Sequence, residues 1–444
     1  MSLLSFKGIN VQRNTKTTGI DVTTFKPMDY YNVPLKFQNV SESEPVVEIG
    51  DEVKEGTLIA KPAGNFGMYI YSPTSGKVLN IFNKITSWGE YCKHILIMND
   101  NKYETEDLPE IESVSDVTLT QRLKECGQFD NLAKMPTFLK YAYLGAKTYK
   151  HILVLLDDID PNCTVNQTLT EYKMEEIVNG AKYFSNMTSA SHITFVFSSE
   201  SKELAHKLKV HIAENKKNYD YKIKFIPAKY PFTNPYLLAK LVTGKNISSK
   251  TSFLDAGVVI ETAESCYNFC RAVEFHKPVI SKFVTIDGDN IVRRGNYLIP
   301  NGVSYENLIN FAGIIEKNTP MQIIEGNLLS GNAQYNEEIS ITLSTDSIVF
   351  QKYDKYQTPP EFNCISCGKC ASVCPIKLNP QRLEAAYLEN DYDEIRRLKA
   401  ESCIDCGCCS YICPSRRHIS QRITDAKFYL KKIDDESTKS GGGE

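Results

Sequence analysis

Two stretches near the carboxyl end carry residue types that can do redox chemistry. Residues 364–375 read Cys-Ile-Ser-Cys-Gly-Lys-Cys-Ala-Ser-Val-Cys-Pro, and residues 403–414 read Cys-Ile-Asp-Cys-Gly-Cys-Cys-Ser-Tyr-Ile-Cys-Pro. Both space their thiols C-x2-C-x2-C-x3-C-P, the run with which bacterial two-cluster ferredoxins hold cubane [4Fe-4S] centres. Three cysteines two residues apart wrap one corner of a cubane, and the fourth, a turn further on, reaches the other cluster. The spacing predicts one centre on Cys364, Cys367, Cys370 and Cys413, and a second on Cys403, Cys406, Cys409 and Cys374. Gly368 and Gly407 lie inside these loops, where a tight backbone favours a residue without Cβ. Cys408 falls out of register and reads as a small buried thiol beside the second centre. Zinc sites use C-x2-C pairs but need neither a third cysteine nor a following Cys-Pro. A disulfide framework needs an oxidising compartment, and the polar start of the chain does not read as an export signal.

The segment between the motifs must position them. Leu383, Ala386 and Tyr387 recur at helical spacing, and Ile395 and Leu398 continue the pattern after Asn390-Asp391. An α-helical ferredoxin domain is therefore expected over residues 358–432, with Pro359-Pro360 stiffening its entry. The charged tail, 433–444, ends Gly-Gly-Gly-Glu and is expected to be disordered. At 444 residues the chain is long enough for two to four domains. A net charge of −3 argues against nucleic acid as a partner. The longest apolar run, Ile152 to Leu156, is far too short to cross a bilayer. With eight of the 14 cysteines committed to iron, a reducing cytosol is expected.

Upstream, the expected class is multidomain α+β. Residues 1–32 read as an extended arm. Residues 33–105 alternate short strands with glycine turns, notably Val46 to Ala60 and Tyr71 to Val78, like the barrel-sandwich hybrid of biotinyl and lipoyl carriers. The tip, Pro62 to Tyr69, lacks their modified lysine, and Lys61 stands only at a strand end. Residues 117–275 alternate strand and helix, predicting a Rossmann-like α/β domain. Its strands are expected at His151–Leu156, His192–Phe197, Lys222–Pro227 and Ala256–Glu261, with helices at Glu171–Phe184, Ser201–Glu214 and Asn234–Val242. Cys266 and Cys270 read as core thiols there. Residues 276–340 resemble the soluble-ligand-binding (SLBB) β-grasp domain, with strands around Val284 and Tyr297 and a helix from Tyr305 to Ala312. Residues 340–360 are expected to be a link.

This order of parts resembles the C subunit of the Rnf complex, the membrane-bound ferredoxin:NAD+ oxidoreductase that couples electron transfer to ion pumping. The likeness is strongest at Glu44–Ala60, Tyr71–Val78, Val284–Gly302 and Cys364–Pro414. It implies electron relay through two [4Fe-4S] clusters, Rnf-type membrane and iron–sulfur subunits as partners, and a cytoplasmic position on the inner face of the cell membrane held through them. It also implies an α/β domain like the NADH-binding subunit of respiratory complex I, holding FMN and exchanging electrons with NAD(H). The family's flavin loop has the form G-x-G-G-A-G-F-P. Here Cys126 to Thr137 keeps only Gly127 and Pro136 as landmarks, and Asp130 brings a negative charge where a phosphate would sit. A family Glu-x-Glu-Pro segment corresponds to Asp158-Ile159-Asp160-Pro161, which leaves Asp158 and Asp160 as cofactor-binding candidates beside the plain reading of an Asp-Pro turn. No catalytic side chain is recognisable. Two further readings stay open: an FMN-dependent NADH dehydrogenase module of the Rnf or corrin-reductase type, and a redox adaptor whose clusters are structural.

Overall fold

The computed structural model describes residues 7–11, 16–38, 40–142, 151–188, 190, 192–214, 220–244, 257–353 and 360–440. It divides into two compact units, one made of Arg13–Ile226 and Phe253–Lys352, the other of Met1–Gln12, Pro227–Ser252 and Tyr353–Glu444.

The larger unit holds two small antiparallel sheets. Tyr30–Pro34, Tyr91–Asn99, Gly76–Ile85 and Glu52–Val53 form an antiparallel sheet in that order, and Glu44–Pro45, Leu58–Lys61 and Ile70–Tyr71 form a second. Alternating residues Val33, Ile59, Val78, Ile95 and Ile97 are fully buried in a shared core. Each such side chain contributes roughly 1.5–3 kcal/mol of burial free energy. Gly76 is obligatory at its crossing: a Cβ there would lie 1.8 Å from the Met98 carbonyl oxygen.

A four-stranded parallel sheet follows, in the order Tyr221–Ile226, His192–Ser198, His151–Leu155, Val258–Thr262. Its central strand is an unbroken apolar run, as a strand covered on both faces should be. The helix expected over Glu171–Phe184 is instead two, Val165–Tyr172 and Met174–Thr188, broken at Lys173. Met174–Thr188 packs on Ala263–Glu274 so closely that a Cβ on Gly180 would lie 1.8 Å from the Cys266 carbonyl oxygen. Cys266 and Cys270 are wholly buried in this contact, the core role expected of them.

A six-stranded sheet runs Thr23–Thr24, Gly295–Pro300, Ser281–Asp287, Ser347–Lys352, Met321–Glu325, Asn332–Gln334. The helix Tyr305–Ala312 is where it was expected. Two expectations are corrected. The supposed link contains Ser347–Lys352, an interior strand whose Ile348, Val349 and Phe350 are buried. The supposed arm supplies Thr23–Thr24, paired in parallel with Tyr297 and Leu298, and buries Phe25.

The smaller unit holds the cysteine motifs among the helices Lys369–Val373, Pro380–Leu388, Tyr392–Arg397, Cys408–Tyr411 and Ile419–Ser440. Leu383, Ile395, Ile419, Ile423 and Leu430 form their core. The last helix enters the tail that was expected to be disordered from residue 433, of which residues 441–444 lie outside the described residues. It runs on to Ser440, with Arg396 paired to Asp434 at 2.5 Å beyond the last buried leucine. Among the described residues no helix is long and apolar enough to cross a membrane.

Candidate metal centres

The two motifs fold alike. Ser366 and Asp405 take positive φ (53° and 50°), and Gly368 and Gly407 follow in the left-handed region (71° and 73°), each opening a short helix. This reversal turns three successive thiols of each motif toward one side. One cavity is lined by Cys364, Cys367 and Cys370 of the first motif together with Cys413 of the second. The other is lined by Cys403, Cys406 and Cys409 of the second motif together with Cys374 of the first. The fourth cysteine of each motif thus lines the cavity of the other motif. Four thiols around each cavity are the donor set of a cubane cluster. Among the described residues no three His, Cys, Asp or Glu side chains converge closely enough to grip a single ion.

Burial pushes Cys403 up to about 12 and raises Cys370, Cys374 and Cys409 as well, so taking up iron must release protons. Cys406 is the exception: a hydrogen bond from the Cys408 thiol holds it below its ordinary value. Cys408 is 1% exposed and lines the second cavity with the four expected ligands.

The wall of the first cavity includes Glu384, buried and gripped by two arginines. Arg417 Nε donates to it at 2.8 Å, and Arg422, which also donates to Glu361 at 2.6 Å, pairs with its other oxygen. Lys7 donates to the Ala371 carbonyl at 2.9 Å, one residue past Cys370. Sequence reading missed Lys7, Glu384, Arg417 and Arg422, because none belongs to a motif and their partners are distant along the chain.

At the eroded nucleotide loop the chain forms a small hairpin, Phe129–Asp130 against Met135–Pro136, ahead of the helix Thr137–Ala142. The Asp130 carboxylate accepts the backbone N–H groups of Leu132 (2.7 Å) and Ala133 (2.9 Å). Its other oxygen pairs with Lys140, which also meets Glu261 at 2.5 Å and the Ile260 carbonyl at 2.9 Å. Burial alone would push the Lys140 ammonium down, but Asp130 and Glu261 beside it hold it above its ordinary value. Tyr141 Oη closes the network on Glu261 at 2.6 Å. Backbone amides and a lysine suited to a phosphate are therefore already taken by the protein's own carboxylates. These residues do not fit a flavin phosphate.

Asp158 and Asp160 lie just beyond the strand His151–Leu155. Asp158 accepts from Asn166 Nδ2 (2.8 Å) and from the backbone N–H of Gln167 (3.1 Å), so its carboxylate caps the helix Val165–Tyr172. Burial, and then the neighbouring Asp158 and Asp346, push Asp160 up to about 7.

Comparison with known proteins follows these parts. Residues 4–102 match the RnfC barrel-sandwich hybrid domain, residues 132–271 the Nuo51 FMN-binding domain, and residues 360–414 a 4Fe-4S dicluster domain. The C subunit of the proton-translocating ferredoxin:NAD(+) oxidoreductase complex of Clostridium ljungdahlii is 27% identical over 88% of this chain and 86% of its own length. The C subunits of the ion-translocating oxidoreductase complexes of Rhodobacter capsulatus and Citrobacter koseri are 24% and 23% identical over 85% and 84% of this chain. The chain spans 73% of the Rhodobacter protein and about half (53%) of the Citrobacter one. Among solved structures, an NAD+-reducing [NiFe]-hydrogenase in the air-oxidized state aligns over 64% of this chain and 54% of its own, with 13% identity and a TM-score of 0.48. The chain is a mixed α/β multidomain protein and is similar, along most of its length, to the C subunits of ion-translocating oxidoreductase complexes.

Proposed function

We propose that this chain relays electrons through two [4Fe-4S] centres as the C-type subunit of an Rnf-like ion-translocating complex. The observation that carries the reading is the exchange of fourth cysteines, which surrounds each of two adjoining cavities with four thiols. Cys364, Cys367, Cys370 and Cys413 would hold one centre, and Cys403, Cys406, Cys409 and Cys374 the other. Such clusters supply one-electron transfer at a potential set by hydrogen bonding, charge and exposure. The protein's part is to supply the thiols, fix their spacing and control what surrounds them.

The domain reading that accompanies this is a barrel-sandwich part from about residue 33, a Rossmann-like part ending near 275, an SLBB-type β-grasp part after it, and the ferredoxin part from about 358. Thr23–Thr24 and Ser347–Lys352 join the β-grasp sheet in this reading. Partner subunits would supply the membrane span and hold the chain at the inner face of the cell membrane. Asp158 and Asp160 serve the turn and the helix start, and no electron step is assigned to flavin or NADH here, since Asp130 occupies the loop amides.

Anaerobic iron, sulfide and flavin analysis of the purified chain tests the reading. Visible absorbance bleached by dithionite, with signals from two paramagnetic centres and no extractable flavin, is expected. Extractable FMN with NADH oxidation would move the chain to the dehydrogenase reading, and a protein whose iron cannot be reduced would favour the adaptor.

A further inference from the structure

The two four-thiol cavities are built from the same motif but have different walls. Beside its cysteines, the first is lined by Lys369, Gln381, Glu384, Ser415 and Arg417, with Ile365, Pro414 and Ile419 as its apolar part. Beside its own, the second is lined mainly by Pro375, Ile376, Leu378, Pro380, Ile404 and Ile423. Exposure differs in the same sense. Cys364 and Cys367 are exposed, and neighbouring Ile365 is 66% exposed, whereas no ligand candidate of the second cavity is exposed. Charge follows too. The only acid in the first wall, Glu384, is paired with Arg417 and Arg422, the latter shared with Glu361, and Lys7 Nζ adds a further cation on the Ala371 carbonyl. By the second motif the cation Lys427, which donates to the Cys403 carbonyl at 2.9 Å, is cancelled by its pairing with Asp405.

Reducing a thiolate-ligated cubane adds negative charge to an already anionic group. Nearby cations, polar groups and water stabilise that charge, and an apolar wall disfavours it. We infer that the thiol set Cys364, Cys367, Cys370 and Cys413 holds the higher-potential, solvent-facing centre of the pair, and that Lys7 helps to set its potential. The inference rests on the two-centre reading above. A single electron given to the protein then comes to rest on the first centre, and the apolar second centre is the harder to reduce. Lys7 is a positioning residue here, acting through its charge.

The test is an EPR-monitored redox titration of the full chain, with and without an aqueous gadolinium chelate as an external relaxing agent. The signal that develops first, at higher potential, should be the one whose relaxation the chelate speeds. Lys7→Gln should lower that midpoint beyond the scatter of repeat titrations and leave the other unmoved, while Lys7→Arg should keep the original value. The inference is overturned if the chelate acts on the lower-potential signal, or if Lys7→Gln moves neither midpoint or both equally. Finding no pair of reducible centres would instead sink the two-centre reading, which this experiment detects before any midpoint is compared.

Discussion

The Asp130 carboxylate sits 2.7 Å from the backbone nitrogen of Leu132. A side chain of the loop thereby does what a bound anion would do, satisfying amides at the mouth of a helix-and-strand junction, and Lys140 neutralises it from behind. The arrangement is fixed by burial, since Lys140 is 0% exposed and Asp130 4%.

That network should be costly to open on one side only. Lys140→Met strands Asp130 and Glu261 in a dry interior, and loss of one partner of a buried ion pair typically costs about 3–5 kcal/mol. Chemical denaturation should show a loss of that order. The triple change Asp130→Asn, Lys140→Met, Glu261→Gln should lose clearly less. Equal losses would mean that the charges do not depend on each other.

Each fourth cysteine should matter to the centre of the opposite motif. Cys413→Ala should abolish the signal of the solvent-facing centre and Cys374→Ala that of the buried one, each leaving the other reducible. EPR of the two variants decides it. If Cys374→Ala instead removes the centre of its own motif, the exchange of ligands is wrong.

Acid should weaken the barrel-sandwich part through His94. This ring is 1% exposed, its Nδ1–H donates to the Cys92 carbonyl at 3.0 Å, and burial pulls its pKa from the ordinary 6.5 down to about 4. Between those values the unfolded chain binds more protons than the folded one. The contribution of neutral His94 is therefore complete above about pH 6.5 and is lost as pH falls toward 4, by up to about 3 kcal/mol. His94→Gln should flatten this limb of a stability–pH curve. An unchanged slope would assign the acid sensitivity elsewhere.

Gly180→Ala should separate the helices Met174–Thr188 and Ala263–Glu274. Its Cβ would meet backbone rather than a movable side chain, so about 1–3 kcal/mol of overpacking strain is expected in a thermal or urea melt. Glycine's poor helix propensity works the other way, and a stabilised variant would show that the contact is looser than described.

What the sequence reveals and what it hides divide along the range of the interactions. Cys364 to Pro414 is readable because ligand spacing is local chemistry, and the strands around Ile152, Phe195 and Ile260 are readable because doubly covered strands are continuous apolar runs. Ser347–Lys352 reads as a link because a six-residue run carries little periodicity, and its partners, Ser281–Asp287 and Met321–Glu325, lie in other segments. Thr23–Thr24 pairs with residues far along the chain, which no local pattern encodes. At the nucleotide loop the missing glycines are visible, but not that Asp130 turns back onto its own amides, a contact that depends on the hairpin Phe129–Asp130/Met135–Pro136. The role of Lys7 depends on an N-terminal segment lying against the helix Lys369–Val373.

The most direct test is metal and sulfide analysis of anaerobically prepared full chain, paired with dithionite reduction followed by EPR. The account predicts about eight irons per chain, in two separately reducible centres. About four irons or fewer in a fully folded protein, or iron that no reductant changes, would contradict it.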